Sequence, residues 1–284
     1  MRTPVSSFRS LVQPGRLVRV AGAHTALGGR LAQEAGFDAV WSSSLEVSAS
    51  RVLPDASVLT MTEYLEAAAN MQKALGVPVV ADCDSGYGNN ANAQHMVHEY
   101  EAAGITAISV EDKKFPKMNS FADRGDSLVS TEEFCRKLTT AKDAQTSSDF
   151  FVIARTEALI NGLPVTEALS RAHAYAGAGA DAILIHSKES TNRQVLAFLE
   201  KWEGRLPVVV VPTTYPDWQA DHMAAAGVSV VIYANHGLRA TITSLRHTYS
   251  SILTNGDTTR LEEELAPVRD VFALQELPAW QALD

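Results

Sequence analysis

The sequence predicts an α/β protein, a (β/α)8 barrel, because eight apolar runs recur along the chain and amphipathic stretches separate most of them. Four of the runs follow a phrase of small residues and glycine. A glycine past a helix end can take the left-handed conformation that terminates the helix, and an apolar run without alternation is typical of a parallel strand covered on both faces. Each phrase therefore indicates a helix-to-strand junction. The four are EAGFDAVW from Glu34, AAGITAISVE from Ala102, GAGADAILIH from Gly177 and AAGVSVVIYA from Ala225.

Four further apolar runs complete the predicted strands: LVRVAG from Leu17, PVVADCD from Pro78, FFVIAR from Phe150 and PVVVVPT from Pro207. The amphipathic stretches predict helices at 25–35, 60–75, 91–103, 131–145, 165–178, 191–202 and 217–226. Eight strands alternating with helices favour a barrel. The alternative is an open doubly wound sheet, which is disfavoured because no Gly-x-Gly-x-x-Gly phosphate loop follows the first strand.

We expect residues 1–284 to form a single barrel domain that ends in a helical segment at 237–284. This segment contains no strand candidate, and its pattern predicts helices at 238–253 and at about 259–276. Most connections are short, but residues 112–130 lack clear periodicity. Long loops in compact domains are often lids or binding loops. The Ser-Thr-Glu-Glu stretch from Ser130 fits a capping box and predicts where the next helix begins.

Composition and charge argue against several classes of protein. A net charge of −9 disfavours a nucleic-acid or anionic-membrane partner. The chain has no apolar run of about 18 residues that would span a membrane, and its N-terminus lacks the apolar core of a signal peptide. The two cysteines, Cys83 and Cys135, have neither metal-site spacing nor the pattern of a disulfide scaffold. The expectation is a soluble cytoplasmic protein.

Polar residues interrupt the apolar runs almost only where a predicted strand ends. Because active sites of barrels lie at the C-terminal ends of the strands, these residues are expected to meet in one mouth. They are the stretch WSSSL at 41–45, Asp82 and Asp84, Glu111, Arg155 and Glu157, His186, the stretch PTTY at 212–215, and Asn235.

Three of these residues are candidate metal ligands. Asp82 and Asp84 stand two positions apart on predicted strand three and should point to the same face, while Glu111 arrives from the adjacent strand. Carboxylates converging in one mouth repel each other unless a cation lies between them. Carboxylate ligands favour a hard ion, so we expect Mg²⁺ rather than Zn²⁺. The alternative is that one or two of these acids cap helices or form salt bridges.

Arg155 and His186 are basic residues that suit a phosphate or carboxylate group of a substrate. For His186 the alternative is a structural histidine with satisfied hydrogen bonds. His24, after the first strand, is open between a structural and a functional role. Cys83 lies between the two aspartates and is expected to point away from the mouth.

Six stretches together resemble the phosphoenolpyruvate mutases of the isocitrate lyase superfamily: DCDSGYGN, EDKKFPKMNS, IARTEA, ADAILIHSK, VVVVPTTY and YANHGLRA. The resemblance covers about Gly22 to Leu274. The mutase motif of Glu-Asp-Lys, five residues and Asn-Ser is intact at 111–120. The resemblance implies a barrel whose last helix is swapped between the subunits of a homodimer or homotetramer. It also implies Mg²⁺ as cofactor, a small 2-oxo-acid or enol substrate, and an isomerase that interconverts phosphoenolpyruvate and phosphonopyruvate by C–P bond formation, as in phosphonate biosynthesis.

The resemblance also implies roles for individual residues. By motif position, Asp82 resembles the direct metal ligand, whereas Asp84 and Glu111 resemble residues that hold metal-bound waters. Residues 112–130 resemble the gating loop that keeps water from the transferring phosphoryl group. The catalytic positions matched are Asp55, Lys117, Asn119, Arg155 and His186. The substrate-binding positions matched are Trp41, Ser43, Ser44, Leu45, Asn119, Ser120, Arg155 and His186.

The sequence departs from the mutase pattern at three places near the expected pocket. WSSSL stands where the mutases have Trp-Gly-Ser-Gly-Leu, so Ser42 and Ser44 replace glycines. VLPD replaces Gly-Val-Arg-Asp, and HTAL replaces a histidine followed by Asp or Asn and Gly. These changes leave the substrate open, for instance to an analogue such as arsenoenolpyruvate, which would give arsonopyruvate.

Other functions are kept as alternatives. Phosphonopyruvate hydrolases share the scaffold but tend to carry threonine where this chain has Asn119. Carbon–carbon lyases of the superfamily use a Lys-Lys-Cys-Gly-His loop, and neither Cys83 nor Cys135 lies in such a motif. A non-catalytic oligomeric binding protein is the alternative outside the enzymes, and the retained acids with Arg155 and His186 argue against it.

Overall fold

A closed barrel of eight parallel strands forms the centre of the computed structural model, which describes residues 6–122 and 127–283. Each strand pairs with the next in sequence, and the last pairs with the first. The predicted (β/α)8 barrel is therefore confirmed, and the open doubly wound sheet is not formed. The strands are β1 Val18–Ala23, β2 Ala39–Ser42, β3 Val79–Asp82, β4 Ala107–Glu111, β5 Phe151–Thr156, β6 Ala182–Ile185, β7 Val208–Val210 and β8 Val230–Tyr233.

Helices follow the strands around the barrel, and several begin where the sequence supplies a capping side chain. Asn89 Oδ1 accepts hydrogen bonds from the N–H groups of the first turn of α5, and Ser130 Oγ accepts the Glu133 N–H at 3.2 Å at the start of α6. The helices are α1 Phe8–Leu11, α2 Ala26–Glu34, α3 Ser44–Ser50, α4 Met61–Ala74, α5 Asn90–Ala102, α6 Thr131–Ala144, α7 Val165–Gly177, α8 Arg193–Trp202, α9 Ala220–Ala225, α10 His236–Asn255, α11 Val268–Leu274 and α12 Leu277–Gln281.

Two apolar layers bury both faces of the strands, as expected for runs without alternation. Alternate strand residues fill the barrel interior, among them Val20, Trp41, Ile153 and Leu184. The intervening residues pack outward against helices that contribute large side chains to the outer layer: Met71, Tyr100, Tyr175 and Trp202.

The helix predictions fail at four places. The sequence does not predict α1, α3 or α12. WSSSL was expected to end a strand, but β2 ends at Ser42, and Ser43 Oγ caps α3 by accepting the Glu46 N–H at 3.3 Å. The helix predicted at about 259–276 is wrong over its first half. Pro267 lies inside that span, where it interrupts a helix, and α11 begins only after it.

The described chain divides into two compact units between Asn235 and His236. The second unit holds α10, α11 and α12, in agreement with a helical C-terminal segment. Within it, His247 Nε2 lies 3.3 Å from Glu264 Oε2, and the apolar side chains Leu253 and Trp280 are 87% and 66% exposed. The expectation of one barrel domain over 1–284, the exchange of the last helix between subunits, and the homodimer or homotetramer stay predictions.

Within residues 6–122 and 127–283, no helix combines the length and apolar character needed to cross a membrane.

Gly22 on β1 lies so close to the end of β8 that a side chain there has no room. A Cβ would come within 2.0 Å of the Ala234 carbonyl oxygen and 2.6 Å of Glu46 Oε1. We expect Gly22→Ala to lower the free energy of unfolding by about 1–3 kcal/mol, because the overpacked atom is backbone and can move little. Urea unfolding followed by circular dichroism measures this change.

Gly28→Ala is the matched control for this prediction. Gly28 lies in α2, where the nearest atom to an added Cβ is Thr25 Oγ1 at 3.4 Å. Alanine is favoured over glycine in a helix by about 1 kcal/mol, so stability should be equal or higher. A Gly22→Ala protein as stable as the wild type would contradict the close contact.

Candidate active site

The alternation of side chains along the strands selects which residues meet at the mouth of the barrel. Val80, Ile153 and Leu184 face the interior. The interior-facing positions two residues later hold Asp82, Arg155 and His186, because side chains repeat every second residue along a strand. Active sites of such barrels lie at this end of the strands.

A cavity of about 50 Å³ lies at this end and is lined by most of the predicted site residues. Asp84 and Glu111 do not line it. They are buried beside it, with 2% of their surface exposed. Phe121, Val211 and Ala234 also line the cavity and were not among the predicted site residues. The predicted residues that line it are Trp41, Ser43, Ser44, Leu45, Asp55, Asp82, Lys117, Asn119, Ser120, Arg155, His186, Thr213 and Asn235.

The Lys117 ammonium lies between two of the buried carboxylates. Its Nζ is 2.6 Å from Asp55 Oδ1 and 2.9 Å from Asp84 Oδ1, the second contact being an ion pair without hydrogen-bond alignment. Burial raises the pKa of Asp84 to about 6 against the attraction of Lys117. Burial also acts to raise the pKa of Asp55, but Lys117 and the Asn119 amide hold this pKa below its ordinary value. A salt bridge, the alternative expected for one or two of Asp82, Asp84 and Glu111, is therefore present at Asp84.

Asp82 and Asp84 reach the site by different backbone paths. The expectation that both lie on one strand is wrong, because β3 ends at Asp82 and Asp84 has a φ of 49°. Asp82 Oδ2 accepts a hydrogen bond from Ser44 Oγ at 2.9 Å, and Asp82 Oδ1 accepts a long one from the Asp84 N–H at 3.4 Å. The left-handed turn thus folds Asp84 back beside Asp82.

Arg155 joins two acids on the opposite side of the mouth. Its Nε lies 2.7 Å from Glu157 Oε1 and 3.3 Å from Glu111 Oε2, and its Nη2 donates to Ser120 Oγ at 2.9 Å. Burial raises the pKa of Glu111 to about 8, although Arg155 opposes the shift. Glu157 has a lowered pKa, because Arg155 and nearby cations outweigh its burial. Glu157 is the counter-ion of Arg155. The sequence predictions gave it no role, but its position two residues after Arg155 places it on the interior face and could have identified it.

His186 is buried in the cavity wall, and neither ring nitrogen has a hydrogen-bond partner among the described residues. Burial, reinforced by the Arg155 charge, lowers the pKa of His186 to about 4. The ring is therefore neutral near pH 7 and can donate or accept a hydrogen bond. The expectation of a satisfied structural histidine does not fit its two unpartnered nitrogens.

Asp112 fixes the start of the loop that covers the mouth. It is fully buried and accepts hydrogen bonds from Tyr175 Oη at 2.7 Å, Arg171 Nη1 at 3.1 Å and the Glu157 N–H at 2.8 Å. The loop side chains reach the mouth from this anchor. Asn119 Nδ2 donates to Asp55 Oδ2 at 2.6 Å. The gating role of 112–130 stays a prediction, and residues 123–126 lie outside the described residues.

His24 and Cys83 have contacts outside the cavity. His24 Nδ1 lies 2.9 Å from Glu46 Oε2, in a pair that borders β1 and α3. Cys83 is fully buried in the outer apolar layer, as expected for a residue that points away from the mouth.

The family model described as phosphoenolpyruvate phosphomutase matches residues 8–253. The chain belongs to the phosphoenolpyruvate phosphomutase family. A solved phosphoenolpyruvate phosphomutase from Streptomyces platensis subsp. rosaceus is 55% identical with a TM-score of 0.95, and 96% of each chain is covered. The phosphonopyruvate hydrolase of Variovorax sp. (strain Pal2) is 42% identical over 275 residues, covering 96% of this chain and 95% of the relative.

A third relative is a solved phosphonopyruvate hydrolase in complex with oxalate and Mg²⁺. It is 41% identical with a TM-score of 0.91, covering 97% of this chain and 95% of the other. Mutases and hydrolases of the phosphoenolpyruvate phosphomutase family thus share this barrel. The predicted superfamily fold is confirmed.

The buried acids of this family member fit a hydrated magnesium ion. In the described ranges, no three His, Cys, Asp or Glu side chains form a direct ligand cluster. Mg²⁺ does not require one, because it keeps several waters and binds through one or two carboxylates. Asp84 Oδ2 and Glu111 Oε1 are buried and lack hydrogen-bond partners within 6–122 and 127–283, so both can accept from metal-bound waters. Asp82 lines the cavity and would be the acid that binds the ion directly.

Lys137 supports the turn that carries Asp84, and sequence analysis did not single it out. Its Nζ donates to the Ser85 carbonyl at 2.6 Å and to the Gly88 carbonyl at 2.8 Å. The signal in the sequence is its place on the apolar face of α6, three residues after Phe134 and next to Leu138, both buried. A lysine on the apolar face of a helix needs hydrogen-bond acceptors within the protein.

We expect Lys137→Met to lower the free energy of unfolding by about 1–3 kcal/mol, since two buried carbonyls lose their donor. Amide hydrogen exchange at 85–88 should accelerate, because the turn loses the hydrogen bonds that Lys137 Nζ donates to its Ser85 and Gly88 carbonyls. Lys73→Met, on the exposed side of α4, is the control and should leave both quantities unchanged. Unchanged exchange at 85–88 in the Lys137 variant would count against this role.

Proposed function

We propose that this chain is a Mg²⁺-dependent phosphoenolpyruvate phosphomutase, an isomerase that interconverts phosphoenolpyruvate and phosphonopyruvate. In the forward direction the bond between phosphorus and the enol oxygen breaks, and a bond between phosphorus and carbon-3 of the same molecule forms. The atoms balance without water, so the site has to hold both fragments and exclude solvent.

The observation that carries the proposal is that one cavity is lined by two chemically different sets of side chains. Arg155, His186 and the Asn119 amide are the set of hydrogen-bond donors. Asp82 and the first residues of α3 form the second set. A phosphoryl group suits the donors, and the carboxylate and enol oxygen of a small 2-oxo acid suit the second set.

The set of donors is suited to a phosphoryl group in transit. Such a group passes through a loose, metaphosphate-like state that proteins stabilise by position and charge rather than by covalent chemistry. Arg155 is held by Glu157, and Asn119 is held by Asp55, so neither donor needs to reorganise when charge develops. Neutral His186 adds a hydrogen bond without adding charge.

The second set is suited to the enolate. Asp82, with Asp84 and Glu111 beside it, would hold the magnesium ion, while Ser43, Ser44 and Leu45, which also line the cavity, would border the substrate's carboxylate end. When bound, Mg²⁺ supplies positive charge that stabilises the enolate oxygen.

The covering loop is suited to keep water out. The cavity of about 50 Å³ has room for only a few waters. Asn119, Ser120 and Phe121 close one side of it, so substrate entry requires the loop to move. A closed loop protects a reactive phosphoryl group from hydrolysis.

Phosphonopyruvate hydrolase is the second candidate, and the Variovorax relative favours it. Two observations support the mutase over it. The resemblance associates hydrolases with threonine where this chain has Asn119, and the Streptomyces platensis mutase is more similar, at 55% against 42% identity.

Incubation with phosphonopyruvate and Mg²⁺, followed by ³¹P NMR, tests the proposal. A mutase converts the substrate to phosphoenolpyruvate, and a hydrolase gives inorganic phosphate with pyruvate. We expect phosphoenolpyruvate as the main phosphorus product, and a control with EDTA should show no conversion. Inorganic phosphate as the main product would replace the mutase with the hydrolase. No conversion at all would overturn both and favour an analogue substrate or a binding protein.

We expect Asn119→Ala to lower kcat by about 10²-fold, the usual cost of removing one preorganised donor to a transition state. The fraction of inorganic phosphate among the products should rise, because the missing amide leaves room for water beside the phosphoryl group. Kinetic assay and ³¹P NMR measure the two effects.

Asn70→Ala on the exposed face of α4 is the matched control and should behave as the wild type. Circular dichroism checks that both variants fold. A folded Asn119→Ala protein with wild-type kcat would remove Asn119 from the mechanism.

A further inference from the structure

Ser44 links the covering loop to the acid placed to bind the metal. It is the first residue of α3 and is 2% exposed. Its Oγ donates to Asp82 Oδ2 at 2.9 Å and accepts from Lys117 Nζ at 3.4 Å. One hydroxyl therefore connects the loop ammonium with the Asp82 carboxylate.

The neighbouring serine cannot make this connection. The Ser43 hydroxyl is engaged in capping α3, where it accepts the Glu46 N–H. Ser44 also stands at one of the positions where the mutase pattern has glycine, so its hydroxyl is a feature of this chain.

The Ser44 bond decides which oxygen of Asp82 is available. Oδ2 is occupied by the hydroxyl, while Oδ1 accepts only the long 3.4 Å bond from the Asp84 N–H. A carboxylate held through one oxygen presents the other in a fixed direction. Hydrogen-bond partners of metal ligands typically change metal affinity about 10–100-fold when they are removed.

Lys117 makes the hydrogen bond between Ser44 and Asp82 depend on the position of the loop. Its backbone N–H donates to Ser57 Oγ at 2.9 Å, and its ammonium reaches Asp55, Asp84 and Ser44. Movement of the loop away from the mouth would withdraw the ammonium from Ser44, and the Ser44–Asp82 pair would lose its cationic neighbour.

We propose that Ser44 is a positioning residue that orients Asp82 for the metal and couples metal binding to the position of loop residues 115–121. Coupling of this kind is reciprocal: if loop position changes metal affinity, the metal changes loop position by the same factor. The inference rests on the proposed function only in placing a divalent cation at Asp82.

Mn²⁺ binding measured by electron paramagnetic resonance, without substrate, tests the orientation of Asp82. We expect Ser44→Ala to weaken Mn²⁺ binding about tenfold. Ser44→Thr, which keeps the hydroxyl, should bind Mn²⁺ more tightly than Ser44→Ala. Ser50→Ala, an exposed serine on the same helix, is the matched control and should bind as the wild type. Circular dichroism confirms that each variant is folded.

Amide hydrogen exchange at 115–121, with and without Mg²⁺, tests the coupling. In the wild type and in Ser50→Ala, Mg²⁺ should slow exchange of this segment. In Ser44→Ala the slowing should be largely lost even at Mg²⁺ concentrations that saturate the site.

The outcomes separate this inference from the proposed function. A wild-type chain that binds no Mn²⁺ overturns the magnesium assignment and the coupling with it. If the wild type binds Mn²⁺ and folded Ser44→Ala binds it equally well, Ser44 has no positioning role, although the mutase proposal stands. Equal weakening in Ser50→Ala, or a folded Ser44→Thr that binds no better than Ser44→Ala, also overturns the role of the hydroxyl.

Discussion

The Lys117 ammonium holds together three segments that meet at the mouth of the barrel. It contacts Asp55 from the loop after α3, Asp84 from the turn after β3, and Ser44 at the start of α3. Buried carboxylates this close repel each other, and removing the partner of a buried ion pair leaves an uncompensated charge at a cost of about 3–5 kcal/mol. Lys117 thereby ties the covering loop to Asp55 and Asp84, and Asn119 adds a second contact to Asp55.

The charge balance around the mouth is consistent with the proposed divalent cation. The side chains concerned are five carboxylates, Asp55, Asp82, Asp84, Glu111 and Glu157, and three cations, Lys113, Lys117 and Arg155, of which Asp82 and Arg155 are partly exposed. With all five acids ionised, two negative charges stay unbalanced, which is the charge of one magnesium ion. Burial raises the pKa of Glu111 to about 8, although Arg155 and Lys117 oppose the shift.

The sequence was informative wherever the regular repeat of side chains along a strand determines where a residue lies. Asp82, Arg155 and His186 were predictable, because strand ends gather at one face of a barrel and every second side chain faces inward. Asp84 was expected on the strand with Asp82, but it lies in the left-handed turn after β3. This turn depends on tertiary contacts that include Lys137 on a separate helix. The start of α3 was missed, because three consecutive serines carry no periodicity and Ser43 becomes a cap only where β2 ends.

Fewer residues decide between the mutase and hydrolase reactions than specify the barrel fold. Both proposed reactions begin with the same cavity, the same acids and the same phosphoryl group, so overall identity supports the mutase but does not by itself fix the final acceptor. Carbon-3 competes with water for the phosphoryl group, and access of water depends on the loop side chains that close the cavity. Asp55 holds two of these loop side chains, since it binds both Asn119 and Lys117. Loop closure and the placement of the amide therefore share one carboxylate, and a change there would alter turnover and product together.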